Sequence, residues 1–194
     1  AWKYPKHEKL IENIANKLDF NYVICSHKTI PTIGILGRGD TTIIDAYLTP
    51  GLSKYTSRIS KKLNKSQLLF MKSSGGLSSY NNFTGKDAIL SGPAGGVIAA
   101  VEINKYNKNH SGIIGIDMGG TSTDVFHYKD EYERSTENII ANNKIRVPML
   151  KINTIASGGG SIVSFDGQRI TVGPKSAGAL PGPACYGKGG PATI

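Results

Sequence analysis

The sequence predicts an α/β protein, and three features of the chain support this fold class. Apolar residues recur with helical spacing in two long stretches, Lys6–Leu18 and about Asp40 to Asn64. Short runs rich in β-branched and aromatic residues, typical of strands, occupy much of the remaining chain. Glycine is frequent, with 24 residues that cluster between these runs. We therefore expect helices and short strands joined by glycine-rich loops.

The elements of the first part of the chain follow from this spacing. The apolar residues of Lys6–Leu18 share one face of a helix, and Pro5 stands near its start. We expect strands at Tyr22–Cys25 and at Gln67–Met71. Pro50 lies inside the second helical stretch and predicts a kink or a restart there, because proline has no N–H to donate to the preceding turn.

The second part combines one helix with several strands. Small residues predict a helix from about Ala94 to Ile103. The runs Gly112–Asp117 and Asp124–Tyr128 predict the two strands of a β-hairpin. Further short strands are expected at Arg146–Met149, Lys151–Ile155, Ser161–Phe165 and Arg169–Val172. Residues 173–190 are expected to form a loop.

Composition predicts two regions of the chain and argues against a membrane-spanning protein. Residues 1–72 form a helix–strand region and residues 73–194 a glycine-rich region with the hairpin; the two can pack as one unit. Hydrophobic residues make up 39% and charged residues 19%, as in soluble globular proteins. We expect no membrane span, because no apolar run reaches about 18 residues.

Charge and cysteine content indicate which partners and which cellular compartment to expect. The net charge of +9 is compatible with nucleic acid or with an anionic ligand. The chain has no basic–aromatic ladder or recognition motif, so we expect no nucleic-acid partner. Two distant cysteines, Cys25 and Cys185, rule out a disulfide framework and indicate a reducing, cytoplasmic location.

The segment 116–125 carries the clearest chemical signal. Glycines at a tight tip let backbone N–H groups approach an anion, and hydroxyls add donors for phosphate oxygens. Aspartates beside bound phosphate are usually bridged by Mg²⁺. The residues of this predicted phosphate and Mg²⁺ site are Asp117, Gly119, Gly120, Thr121, Ser122, Thr123 and Asp124. The alternative is a plain hairpin with a Gly-Gly turn and solvated hydroxyls.

This hairpin resembles the phosphate-binding hairpin of the actin/hexokinase/Hsp70 ATPase superfamily, whose fold is ribonuclease H-like. Further motifs identify the chain as similar to the hydantoinase A/5-oxoprolinase family across nearly its whole length. These motifs occupy residues 46–50, 69–77, 89–97, 157–161 and 172–186. Three positions depart from the family pattern: Ser74 for Asn or Asp, Ser157 for Ala, and Lys175 for Glu.

The resemblance implies ATP-dependent opening of a cyclic amide, with a small lactam as substrate and ATP and Mg²⁺ as cofactors. Most similar is 5-oxoprolinase, which converts 5-oxo-L-proline and ATP to L-glutamate, ADP and phosphate. An N-methylhydantoinase-type or acetone carboxylase-type ATP-using subunit, or an inactive remnant, is the alternative. The resemblance assigns catalysis and metal binding to Asp117 and Asp124, phosphate binding to residues 119–123, and a nucleotide-side loop to Gly158, Gly159 and Gly160.

The superfamily clamp uses two such hairpins, and this chain carries one. We therefore expect it to be an interior fragment that needs the remaining family segments from another chain for activity. The four histidines show no metal-ligand spacing, so we expect surface or core roles for them. Cys185 has no predicted partner histidine and is interpreted as a small structural residue.

Overall fold

The structure is a computed structural model that describes residues 2–20, 22–63, 66–107, 112–140 and 142–194. Within these ranges the α-helices are α1 (Lys6–Ala15), α2 (Ser26–Thr29), α3 (Ile35–Lys62), α4 (Gly85–Ala88) and α5 (Ser91–Tyr106). Short 3₁₀ turns cover Tyr80–Asn82 and Ala184–Tyr186. No helix in the described ranges combines the length and the apolar character that a bilayer crossing requires.

The strands are mostly short and pair in antiparallel fashion. Their bounds are β1 (Leu69–Met71), β2 (Leu77–Ser79), β3 (Ile113–Met118), β4 (Thr123–Lys129), β5 (Glu131–Tyr132), β6 (Arg134–Ser135), β7 (Asn138–Ile140), β8 (Asn143–Ile145), β9 (Met149–Leu150), β10 (Asn153–Ile155), β11 (Ser161–Phe165) and β12 (Ile170–Ser176). One sheet has four strands, in which β4 lies between β10 and β3 and also pairs with β5. The other sheets are two-stranded: β1–β2, β6–β9, β7–β8 and β11–β12.

The chain divides into two compact units by its internal contacts. Unit 1 comprises Ala1–Gly95 and Arg134–Leu150, and unit 2 comprises Gly96–Glu133 and Lys151–Ile194. This boundary lies later than the compositional one predicted at residue 73, because Ser73 is held inside unit 1. Its N–H donates to the carbonyl of Asp87 at 2.7 Å, and its own carbonyl accepts from the N–H of Leu150 at 2.8 Å.

Unit 1 packs a small apolar core against the polar face of α3. The core is formed by Ile145, Val147 and Met149, all nearly inaccessible to solvent. Buried polar side chains on α3 bind neighbouring segments instead of water. The hydroxyl of Thr41 accepts from the N–H of Arg146 at 2.9 Å, and the carboxylate of Asp45 accepts from the N–H of Lys86 at 2.9 Å. Because these buried acceptors are satisfied, α3 does not need a fully apolar inner face.

Two sequence predictions in unit 1 are wrong. The second helix begins at Ile35 rather than at Asp40. Of the kink or restart predicted at Pro50, the restart does not occur, because Pro50 lies inside one continuous helix. On the N-terminal side of the proline, the buried carboxylate of Asp45 accepts from the N–H of Lys86 and so ties the helix to a neighbouring segment. The segment Tyr22–Cys25 is not a strand; its described residues lead directly into α2 and have no pairing partner among the described strands.

Other elements agree with prediction in shorter or shifted form. The first helix ends at Ala15 rather than at Leu18, and its apolar residues Leu10, Ile11 and Ile14 remain more than half exposed. The helix α5 is longer than predicted at both ends. The strand predicted at Arg146–Met149 is wrong except at Met149, where β9 begins, because residues 146–148 lie in neither β8 nor β9. Strand β12 continues to Ser176, into the segment predicted as loop.

The four-stranded sheet of unit 2 is built around a tight pairing of β3 with β4. Gly115 pairs with Phe126, and the Phe126 ring lies over the glycine. A Cβ at Gly115 would lie 2.0 Å from Cζ of Phe126, so only glycine fits under the ring in this position. Phe126 is thereby 7% exposed. This packing fixes the register of the hairpin, and the register in turn places the residues of its tip.

Candidate functional site

The predicted hairpin is present, and its register is regular up to the tip. Strand β3 pairs with β4 from Ile113 opposite Tyr128 to Met118 opposite Thr123. The turn comprises residues 119–122, and the N–H of Gly119 donates to the carbonyl of Ser122 at 2.9 Å. Gly119, Gly120 and Thr121 are exposed, whereas Ser122 is half-buried. The tip is therefore open to a ligand.

The two aspartates of the predicted site lie directly opposite each other. Asp117 pairs with Asp124 in the antiparallel register, so their side chains leave the same face of the sheet. The carboxylate of Asp124 accepts from the hydroxyl of Thr154 on β10 at 2.6 Å. Asp117 is exposed, and its Oδ2 lies 3.8 Å from the place a Cβ would take at Gly96 on α5. Two facing carboxylates repel each other, and a cation between them would remove that repulsion.

The glycine loop predicted on the nucleotide side packs directly on the hairpin tip. The N–H groups of Gly159 and Gly160 donate to the carbonyls of Gly119 and Gly120, at 2.9 and 2.8 Å. A Cβ at Gly158 would lie between 2.5 and 2.8 Å from three backbone atoms of the tip. A Cβ at Gly160 would lie 2.7 Å from the carbonyl oxygen of Gly120. Glycine is required at these two positions so that the two backbones can approach.

The hydroxyl residues of the tip differ in their availability. Thr123 is buried, and its hydroxyl donates to the carbonyl of Ser157 at 2.6 Å. The hydroxyl proton of Thr123 is therefore engaged in a hydrogen bond within the protein. Within the described residues, the backbone N–H groups of Gly120, Thr121 and Ser122 make no hydrogen bond to a protein acceptor. The tip therefore offers free backbone donors, together with the hydroxyl of the exposed Thr121.

A cavity of about 560 Å³ lies beside the tip and the glycine loop. Of the predicted site residues, Gly120, Thr121, Gly159 and Gly160 line it. Asp117 and Asp124 do not line this cavity. The cavity is large enough for a small organic ligand, and its wall of tip and glycine loop is built largely from main chain.

Sequence reasoning missed several residues of this cavity. Ser176, Cys185 and Tyr186 also line it. Cys185, interpreted from the sequence as a small structural residue, is a free and exposed cysteine. The glycines around it gave the only available signal: the chain turns with positive φ at Gly182 and Gly187 and so presents the cysteine at the surface. Thr154 was missed because its partner Asp124 is 30 residues away in sequence.

Comparison with known proteins decides the family. Residues 38–194 match the sequence profile of the Hydantoinase/oxoprolinase family. The chain belongs to the Hydantoinase/oxoprolinase family. It is 44% identical over 194 residues to 5-oxoprolinase 1 of Arabidopsis thaliana. That alignment covers 98% of this chain and 15% of the relative, so the chain spans about 15% of the length of this curated relative.

Solved structures of the family share the fold. The ATP-dependent caprolactamase from Pseudomonas jessenii superposes with a TM-score of 0.79 at 32% identity, over 100% of this chain and 29% of that one. Nucleotide-free acetone carboxylase superposes with a TM-score of 0.77 at 27% identity, over 91% of this chain and 26% of that one. The predicted α/β class is confirmed, and the hydantoinase-type enzymes are its structural neighbours.

Proposed function

We propose that this chain supplies one wall of the ATP site of a 5-oxoprolinase-type enzyme, which opens a cyclic amide at the expense of ATP. The observation that carries the proposal is the tip of the β3–β4 hairpin. It is exposed, it has three backbone donors without protein acceptors in the described structure, and it borders a cavity of about 560 Å³. Such an array of N–H groups suits the phosphates of a nucleotide.

The hairpin and the domain around it belong, in this proposal, to an actin-like, ribonuclease H-like ATPase fold. The residues proposed to hold phosphate are those of the tip, 119–123, with Gly158, Gly159 and Gly160 as the nucleotide-side loop that packs on the tip; Gly159 and Gly160 line the same cavity. Thr123 holds the tip in place rather than donating to phosphate, since its hydroxyl donates to the carbonyl of Ser157. The proposed location is cytoplasmic, where the two free thiols would stay reduced.

The donor chemistry of the facing aspartates fits a divalent ion. Two carboxylates on one face of the sheet, Asp117 and Asp124, offer the hard oxygen ligands that Mg²⁺ prefers. The bound ion would neutralise phosphate charge. The hydroxyl of Thr154 orients one of the two carboxylates through the 2.6 Å hydrogen bond. These residues therefore hold and position the proposed ion.

The reaction requires activation because an amide is a poor electrophile. Transfer of a phosphoryl group from ATP to the amide oxygen makes the ring carbon open to attack by water. Breakage of the C–N bond and loss of phosphate then consume two water molecules in total, giving the amino acid, ADP and phosphate. The task proposed for this chain is to position the nucleotide and stabilise its charge.

The substrate proposed is 5-oxoproline, because the relative named 5-oxoprolinase is more similar to this chain than either solved neighbour. An acetone carboxylase-type or hydantoinase-type subunit is the second candidate. The structural neighbour acetone carboxylase supports this second candidate. At 27% identity its support is weaker than that of the 5-oxoprolinase relative for the first candidate. We also propose that activity requires family segments beyond these 194 residues.

A chimera tests this proposal. We would replace the matched segment of the Arabidopsis relative with this chain and measure ADP release dependent on 5-oxoproline. Turnover is expected in the chimera, and Asp117→Asn and Asp124→Asn should each abolish it. Full turnover in both variants would contradict the roles proposed for the aspartates. A folded chimera that opens a hydantoin but not 5-oxoproline would favour the second candidate.

A further inference from the structure

A second group of chemically reactive side chains lies in unit 1, outside the site described above. Glu8 on α1 and Cys25 and His27 around the start of α2 come together although 17 and 19 residues separate them in sequence. One ligand atom from each, a carboxylate oxygen, a thiol sulfur and an imidazole nitrogen, lies within 4.8 Å of the other two. These three ligand types are those that zinc-class ions bind.

The three side chains are well shielded from water. Cys25 is 6% exposed, and the side chains of His27 and Glu8 are 11% and 24% exposed. Glu8 already holds the segment in place: its carboxylate accepts from the hydroxyl of Ser26 at 2.5 Å and from Nδ1 of His27 at 2.5 Å. The ligands are therefore brought together by contacts that do not depend on an ion.

Coordination of one ion requires the three ligand atoms to move closer together. At the tetrahedral angle, zinc–sulfur and zinc–nitrogen bonds of about 2.3 and 2.0 Å place the two ligand atoms roughly 3.5 Å apart. The observed span of up to 4.8 Å therefore has to shrink by about 1.3 Å. Rotation about the side-chain bonds of Cys25 and Glu8 is the movement that would supply this closure.

Charge balance favours a divalent ion over the empty arrangement. An ion with charge +2 would compensate a thiolate and a carboxylate with a neutral imidazole as third ligand. On binding, the thiol proton of Cys25 passes to solvent, and the proton that Nδ1 of His27 donates to Glu8 in the empty site exchanges through solvent to Nε2, so that Nδ1 can coordinate the ion.

Room for a further ligand lies beside the cluster. A cavity of about 300 Å³ is lined by Glu8 and Cys25 of the cluster, by Ser26, and by Glu12 one turn further along α1. Glu12 is bound to Lys28 at 2.6 Å and is not needed as a ligand. Glu8 and Cys25, two of the three proposed ligands, therefore face a cavity from which water or another small molecule could take the fourth position on zinc.

We propose that Glu8, Cys25 and His27 form a binding site for a zinc-class divalent ion, with a fourth position open to the adjoining cavity. Sequence analysis found no metal-ligand spacing for the histidines because the ligands come from two separate segments. The site lies in a different unit from the β3–β4 hairpin and does not depend on the ATP function proposed above.

The test uses the reduced, EDTA-treated 194-residue chain titrated with Co²⁺, a spectroscopic substitute for Zn²⁺. We expect a thiolate-to-cobalt charge-transfer band that saturates at one equivalent and disappears when Zn²⁺ is added. Cys25→Ser should remove the band, and the matched control Cys185→Ser should retain it. Glu8→Gln and His27→Gln should weaken binding at least roughly tenfold, whereas the neighbouring exposed His7→Gln should not.

Two measurements keep the test decisive if a variant folds poorly. Zn²⁺ should raise the unfolding temperature of the unmodified chain, because it binds the native state alone. In the same unmodified chain, Zn²⁺ should protect Cys25 from alkylation while Cys185 still reacts, as mapped by peptide mass spectrometry. Absence of a saturable band, a band retained in a folded Cys25→Ser variant, or equal protection of both cysteines would each overturn the proposal.

Discussion

Two glycine clusters that look alike in the sequence serve different purposes in the structure. At Gly120, in the hairpin tip, an added Cβ would meet nothing within 4 Å. At Gly158, in the loop that packs on this tip, an added Cβ would lie 2.5 Å from a carbonyl oxygen. The first cluster leaves space on the ligand side, and the second allows two protein backbones to touch. Glycine content alone therefore does not locate a binding surface.

Gly158→Ala should give the largest effect. Its Cβ would contact three backbone atoms of the tip, none of which can rotate away. We expect a loss of about 3 kcal/mol in the free energy of unfolding, measured by urea denaturation of the chain. The matched control is Gly159→Ala, whose Cβ would lie 3.8 Å from its nearest neighbour and should change stability by less than about 0.5 kcal/mol. Equal effects of the two substitutions would contradict the tight packing of the loop.

Thr123→Val tests the side-chain contact between the same two segments. The substitution keeps the shape but removes the 2.6 Å hydrogen bond to the carbonyl of Ser157. We expect a loss of about 1–2 kcal/mol, because that carbonyl would lose its donor. Thr121→Val, at an exposed position of the same turn, should alter stability by less than about 0.5 kcal/mol. A reversed order in chemical denaturation would show that Thr123 is the free hydroxyl and Thr121 the structural one.

Gly120→Ala separates binding from stability. Open space around this position predicts a stability change within about 0.5 kcal/mol. In the chimeric enzyme, however, the added methyl group stands in the cavity and should raise the KM for ATP roughly tenfold, equivalent to about 1.4 kcal/mol. An unchanged KM would indicate that the nucleotide does not approach the tip at this point.

Lowering the pH should destabilise unit 1 more than the contacts of unit 2 described above. We expect this effect to be smaller than those of the substitutions. The contacts between the tip and the glycine loop are made by backbone groups that do not titrate in this range. In unit 1, burial raises the pKa of Glu8, but hydrogen bonds from Ser26 and His27 outweigh it, and the pKa falls below its ordinary value of 4.5. The stability that Glu8 contributes is therefore complete above pH 4.5 and is lost as the pH falls further.

Glu8→Gln provides the measurement of this difference. Unfolding followed between pH 6 and about pH 3 should show a weaker acid dependence in the variant than in the unmodified chain. The control is Glu102→Gln on α5, an exposed residue whose removal should leave the acid dependence of unfolding largely unchanged. Identical acid profiles for Glu8→Gln and the unmodified chain would contradict the assignment.

Sequence reasoning located the hairpin well because both of its signals are local. Runs of β-branched and aromatic residues mark β3 and β4, and Gly119-Gly120 marks the turn between them. The family motifs around Gly158–Gly160 placed the second loop of the site in the same way. These features need only a few neighbouring residues to be recognised.

Contacts between distant residues account for what the sequence did not show. Pro50 remains within α3 while buried side chains such as Asp45 bind a segment 41 residues away. Thr154 meets Asp124, and Glu8 meets His27, with no periodic pattern to indicate either pair. Cys185 was judged by residue type, whereas its exposure depends on the backbone turns around it. Each case depends on tertiary packing that no local pattern records.

Unit 1 is formed by two separate segments of the chain, which constrains the order in which the chain can fold during synthesis. Its fully buried Ile145, Met149 and Leu150 are translated only after the whole stretch Gly96–Glu133, which belongs to the other unit. Until they emerge from the ribosome, Thr41 on α3 lacks its partner Arg146, and Ser73 lacks Leu150. A nascent chain stopped at residue 133 would hold β3, β4 and β5 without β10 and the glycine loop, together with an unfinished first unit, so neither unit can be completed before the residues after 133 are made.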